Sequence, residues 1–149
     1  MNATEVSNIL TNHLRLIDGG VSTFDNRYRF NHNVNRNVYP RYYFITEVND
    51  FPTLCFYALE TQYTHIGNAV RYATTLIHLR GYVYEEDAST RAEDLLADID
   101  HALSHLRRMQ PCFSDCRVLQ LSTDSGFMEP YGVADMMFTV TYLQELEDG

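Results

Sequence analysis

Apolar residues recur along the chain at two periods, and the switches between them divide it into elements. From Thr90 to Arg108 the apolar positions are Ala92, Leu95, Leu96, Ile99, Ala102, Leu103 and Leu106. Steps of three, four and seven place them on one stripe of an α-helix. Glu93, Asp94, Asp98, His101 and His105 fall on the opposite side, where a solvated surface is expected. Thr90 with Glu93 fits a capping box that satisfies free amides of the first turn. Arg107 and Arg108 at the far end complement the helix dipole.

A second amphipathic helix is predicted over residues 4–17, where Val6, Ile9, Leu10, His13, Leu14 and Ile17 share a face and Gly19-Gly20 ends the pattern. Period-two alternation marks the strands. Phe51–Leu59 reads as one, with Pro52 near its start, and Glu60–Asn68 as a polar connection. Val70–Tyr84 is a long strand with Ala73, Thr75, Ile77, Leu79 and Val83 on one face and Tyr72, Thr74, Leu76, His78, Arg80 and Tyr82 on the other. Alternation returns over Arg117–Thr123 and over Val133–Leu143, around a loop of turn-forming residues. The acidic tail from Glu145 to Gly149 is expected to fray.

The order is helix, irregular hairpin, strand, strand, helix, strand, strand. It predicts an α+β fold: an antiparallel sheet of about four strands with two helices on one face and an extra hairpin or long loop. Residues 1–149 form one domain on this reading, with 21–43 as the hairpin or long-loop insertion.

Composition changes the picture at two points. All eleven basic residues are Arg and the net charge is −9, a poor balance for gripping duplex DNA. Within 21–43, Arg27, Arg29, Arg36 and Arg41 against Asp25 give +3, so the remainder of the chain carries −12. A long segment without regular structure is expected to be functional. Arg and Tyr bring planar hydrogen bonding and large contact area to protein interfaces. The segment is therefore expected to project from the domain onto a partner, with Arg27, Tyr28, Arg29, Arg36, Tyr39 and Arg41 as its interface residues, the alternative being a solvated surface loop with no partner. Cys55, Cys112 and Cys116 are too few for a disulfide framework, and no run is long enough to span a bilayer. An intracellular, soluble protein is expected.

Candidate chemistry is thin. His101, His105, Cys112 and Cys116 have a spacing that superficially resembles a zinc ligand set. Both histidines fall on the solvated helix face, however, and buried structural cysteines are the simpler reading. Asp98, His101 and Cys112 could form a nucleophile system, but no nucleophile elbow or oxyanion loop accompanies them. With no Gly-rich phosphate loop either, neither an enzyme nor a cofactor or metal site is expected.

Two long motifs carry a resemblance. Arg80–Leu103 reads RGYVYEEDASTRAEDLLADIDHAL, and Arg117–Tyr142 reads RVLQLSTDSGFMEPYGVADMMFTVTY. A strand ending in a glycine-aromatic step, a DLLADI helix, a Thr-Asp turn, Pro-Tyr-Gly and a final strand opening on Val-Ala follow in that order. Together with TEVNDFPTLCFY over Thr46–Tyr57, they resemble the tail terminator or minor tail proteins of long-tailed bacteriophages. The resemblance covers Thr46 to Tyr142 and leaves Val21–Tyr43 outside it, as an elaboration of this chain.

The resemblance implies a structural virion protein, not an enzyme, located in the tail or neck after assembly in the host cytoplasm. It implies a homo-oligomer, a hexameric ring that caps the tail tube, ends its polymerisation and provides the joint to the head. Its partners would be the tail tube protein and a head-tail connector protein, with DNA passing through unbound and no membrane involved. A neck or connector protein of a contractile-tailed phage, a small metal-binding enzyme and a monomeric ligand-binding domain are the competing readings.

Overall fold

The computed structural model describes residues 1–146. Helix α1 (Ala3–Leu14) opens the chain and its Asn2 side chain caps it by accepting the Glu5 amide. A long loop contains a two-residue strand, β1 (Val38–Tyr39). Strands β2 (Thr53–His65) and β3 (Val70–Tyr84), helix α2 (Ala88–Ser104), a single turn α3 (Leu106–Met109), and strands β4 (Phe113–Thr123) and β5 (Tyr131–Glu145) follow. The sheet order is β1-β2-β3-β5-β4; β1 runs parallel to β2 and the other pairs are antiparallel.

The α+β class and the helices on one face are as expected, but the sheet has five strands. The extra one, β1, is a two-residue bridge opposite Leu54 and Cys55. It forms because the buried Val38 docks there, and so short a contact leaves no periodicity in the sequence.

The central stripe is confirmed: Ala92, Leu95, Leu96, Ile99, Ala102, Leu103 and Leu106 are all buried. They pack with α1 on the sheet face formed by Ala73, Ile77 and Leu79 of β3 and Met136, Phe138 and Val140 of β5. Two glycines allow the close approach. A Cβ on Gly81 would meet the Leu95 side chain at 2.6 Å, and one on Gly132 would meet the Ala88 carbonyl oxygen at 2.6 Å. These are the glycines of the glycine-aromatic step and of Pro-Tyr-Gly.

Several expectations need correction. The helix starts two residues before Thr90, because the buried Ala88 extends the stripe upstream, and Asp87 at its start makes no side-chain cap. Thr90 and Glu93 therefore lie inside the helix and form no capping box. The helix also breaks at His105, so Arg107 and Arg108 belong to α3. Strand β2 runs to His65 through the stretch expected as a connection, with a bulge between Ala58 and Glu60. Its distal half is mostly exposed, so backbone pairing to β3 holds it without hydrophobic alternation. The tail expected to fray keeps Glu145 in β5 and ties the Leu146 amide to the Ala69 carbonyl at 2.7 Å; residues 147–149 lie outside the described residues.

The opposite sheet face is covered at one end only. There Tyr43, Ile45, Val48 and Phe51 pack over Cys55, Tyr82 and Val133. The segment 21–43 does not project. Phe24, Phe30, Val34 and Val38 are buried in the main core, and isolated bridges Asp18–Asn33 and Val21–Arg29 close an irregular hairpin against α2. These four apolar side chains supply the anchor, which outweighs the polar residues between them.

Candidate assembly interface

One buried carboxylate fastens the 21–43 segment to α2. Asp98 has no exposed surface. Its Oδ1 accepts the Tyr28 hydroxyl at 2.8 Å and the Asn31 amide and side-chain nitrogens at 3.0 Å each, while Oδ2 accepts the His32 amide at 2.8 Å. A carboxylate inside a protein is tolerated when its lone pairs are filled this way. Burial and the Asp98 charge together raise the Tyr28 phenol above its ordinary pKa, keeping it a donor.

Histidines complete the seam. The His13 Nε2–H donates to the Ala102 carbonyl at 2.6 Å, which leaves the buried Nδ1 without a partner among the described residues. The Ser22 hydroxyl accepts the Phe24 and Asp25 amides, so its proton is free for His101 Nε2 at 2.8 Å. The Tyr28 ring stacks on His101 at 3.9 Å, and Phe24 stacks on His13 and His105. His32 donates from Nε2 to the Arg91 carbonyl at 2.8 Å. Burial is the leading cause that lowers the pKa values of His13, His32 and His101. The outer face of α2 is solvated at Glu93 as expected, but Asp98, His101 and His105 lie wholly or partly under the loop.

The six residues expected at an interface fall into separate places. Arg27 is exposed but held by Asp25 in two short bonds, and Tyr28 is committed to Asp98 and His101. Arg29 and Arg36 are exposed, with no acidic partner among the described residues. Tyr39 and Arg41 both pack on Tyr43, at the opposite sheet face, with the Arg41 guanidinium 4.3 Å from the ring centre. The structure does not gather the six into one patch.

Nor does it gather the zinc-like set. Among the described residues no group of His, Cys, Asp or Glu is arranged to hold a metal. Cys112 is exposed, against the expectation of a buried cysteine, while burial pushes the half-buried Cys116 thiol up to about 12. Asp98 is saturated by the loop and is not available to a nucleophile system with His101 and Cys112.

Sequence reading missed a second polar network on the open sheet face. Tyr57 pairs with His78 Nδ1 at 2.8 Å, His78 Nε2 with Asp135 at 2.7 Å, and Arg80 bridges Asp135 at 2.9 Å and the Tyr42 hydroxyl at 2.8 Å. Cross-strand register alone predicts one link, since Arg80 lies opposite Asp135. Both His78 nitrogens are engaged, so the network braces β2, β3 and β5 and offers no free base.

Two sheet edges remain open. Among the described residues the outer edge of β4 has no neighbour, and β1 covers β2 only at Leu54 and Cys55. Open edges of this kind accept a strand or surface from another chain. No helix is long and apolar enough to cross a membrane, among the described residues.

Comparison with known proteins gives no match among curated proteins. A family model described as Bacteriophage Tail Tube Terminator Protein matches residues 15–147. That span runs through 21–43, so the segment first read as an elaboration of this chain lies within the family match. The chain belongs to the bacteriophage tail tube terminator family.

Proposed function

We propose that this protein assembles as a hexameric ring on the end of the finished tail tube, stops further addition of tube subunits and presents the surface to which the head joins. Membership of the tail tube terminator family is the observation that carries this reading. The open edges of β2 and β4 support it, because ring contacts are heterologous and need two unlike faces on each subunit. The charge of −9 without any Lys also suits a ring through which DNA slides without being held. The role is structural rather than enzymatic, and the partners are the tube protein, a head-tail connector protein and further copies of the chain. Assembly takes place in the host cytoplasm and the finished location is the virion tail.

In this reading the exposed Arg29 and Arg36 meet carboxylates of the neighbouring subunit or the tube, while Arg27 beside Tyr28, and Arg41 beside Tyr39, do so at separate places on the surface. The test is electron microscopy of particles made without this protein. Tails of uncontrolled length that carry no heads are expected; tails of normal length joined to heads would refute the function.

A further inference from the structure

Two buried histidines pin α2 near its two ends, and in neither can the second ring nitrogen take a proton in place. His13 of α1 donates from Nε2 to the Ala102 carbonyl at 2.6 Å, and His32 of the covering loop donates from Nε2 to the Arg91 carbonyl at 2.8 Å. The His13 Nδ1 is buried with no acceptor among the described residues, so a proton there would be an unpaired buried charge. The His32 Nδ1 accepts from the Arg91 guanidinium at 3.4 Å. A proton there would turn an acceptor into an N–H aimed at a cation, and Arg91 is held in place by Glu85 at 2.8 Å and Asp94 at 3.2 Å.

The charged neighbours do not offset this. His105 is the ionisable group beside His13, and it is itself faced by Arg108, His101 and Asp25. His101 in turn has Asp25, Asp98 and Asp100 near it. Asp98 and Glu85 favour a charge on His32 and Arg91 opposes it. Burial outweighs the carboxylates, so both pinning histidines titrate below the ordinary imidazole value. The 22–32 stretch is what shuts the protons out. Its Phe24 stacks on the His13 ring at 4.7 Å, and His32 is 5% exposed. Several bonds hold the stretch down. The Asn31 and His32 amides donate to Asp98, the Ser22 hydroxyl to His101, Arg91 to the Asn31 carbonyl and Arg108 to the Phe24 carbonyl.

We propose that residues 22–32 form an acid-operated latch: proton uptake by His13 and His32 lifts the stretch from α2 while the sheet stays folded. Lifting delivers the His32 ring to water and takes Phe24 off His13, so both become free to bind a proton. It also withdraws Phe24 and Phe30 from the core and opens the seam between α1 and α2. The open state binds protons that the closed state excludes, so acid favours opening and neutral pH favours closure. With ordinary imidazole values of about 6.5, each histidine shifts the balance about tenfold at pH ~5.5, and the two together on the order of 100-fold. His101 acts in the same sense through its bond to Ser22. The opening is local, and so is separate from the acid destabilisation of the whole fold.

Hydrogen exchange of the full chain at pH ~7.5 and ~5.5, corrected for the intrinsic rate at each pH, tests the latch. Opening at the Asn31 and His32 amides should rise on the order of 100-fold between the two, with little dependence on dilute urea. Amides of β3 and β5, which open by unfolding, should instead exchange faster as urea is added. Gln can donate to a carbonyl and cannot be protonated, so His32→Gln and His13→Gln should each shrink the rise by about tenfold. The ratio between the two pH values is the readout, so a variant that merely loosens the loop at both does not imitate the result. Equal opening at both pH values would overturn the proposal, and so would a rise unchanged in both variants. Asn31 and His32 amides that exchange at the rate and with the urea dependence of the strands would overturn it too, since the stretch would then open only with the whole fold.

Discussion

Replacing Asp98 with Ala should free the 21–43 segment from α2. The variant removes an acceptor that serves two backbone amides, one hydroxyl and one side-chain amide. The Tyr28 hydroxyl and the Asn31 side chain can turn toward water and so contribute little to the loss. The Asn31 and His32 amides cannot, and each unsatisfied buried donor costs about 1–3 kcal/mol. The sum is a destabilisation of roughly 2–6 kcal/mol. For a chain of this size each kcal/mol lowers the melting temperature by about 2–4 °C, so a drop on the order of 10 °C is expected. Asp98→Asn keeps one acceptor oxygen but turns an NH2 toward a donor, and should fall between the two. Calorimetry gives the magnitude, and hydrogen exchange assigns it, since the Asn31 and His32 amides should lose protection ahead of the sheet. A melting temperature within about 2 °C of the unaltered protein, with those amides still protected, would refute the role given to Asp98.

Three further outcomes follow from the same structure. His13, His32 and His101 have folded pKa values below the ordinary imidazole value, so the unfolded chain binds more protons between the two; their contribution is complete above pH about 6.5 and is lost as the pH falls through the folded values. Melting followed from about pH 7.5 down to about pH 5.5 should decline, and a flat or rising profile would contradict the buried seam. Gly132→Ala should destabilise the fold by about 1–3 kcal/mol, because the new methyl group meets backbone at Ala88; denaturant unfolding with no change would mean that β5 does not pass so close to α2. A thiol reagent near neutral pH should modify Cys112 quickly and Cys55 and Cys116 slowly, since burial raises the latter two; mass spectrometry of the folded protein distinguishes the sites.

The legible parts of the fold are those where a face is wholly buried. The α2 stripe and the alternation of β3 and β5 repeat at the period of their geometry, because the same side of each element meets the core. What escaped reading was decided by tertiary contact. Asp98 has the identity of a surface residue and sits on the face opposite the stripe, yet the loop covers it; no periodicity can announce a partner 67 residues away. The distal half of β2 is a strand through backbone pairing alone, and its exposed side chains look like those of a connection. In the 21–43 segment the count of Arg, Asn and Tyr masked the buried positions Phe24, Phe30, Val34 and Val38. Their spacing was readable, but only as an anchor to something whose surface the sequence did not reveal.

In the proposed function this protein ends the tail tube as a ring. Electron cryomicroscopy of purified tails, with this protein located in the density, tests it most directly. A hexameric ring confined to the head-proximal end of the tube, one ring per tail, is the predicted result. Copies distributed along the tube, placed at the distal tip, or present as single subunits would contradict it.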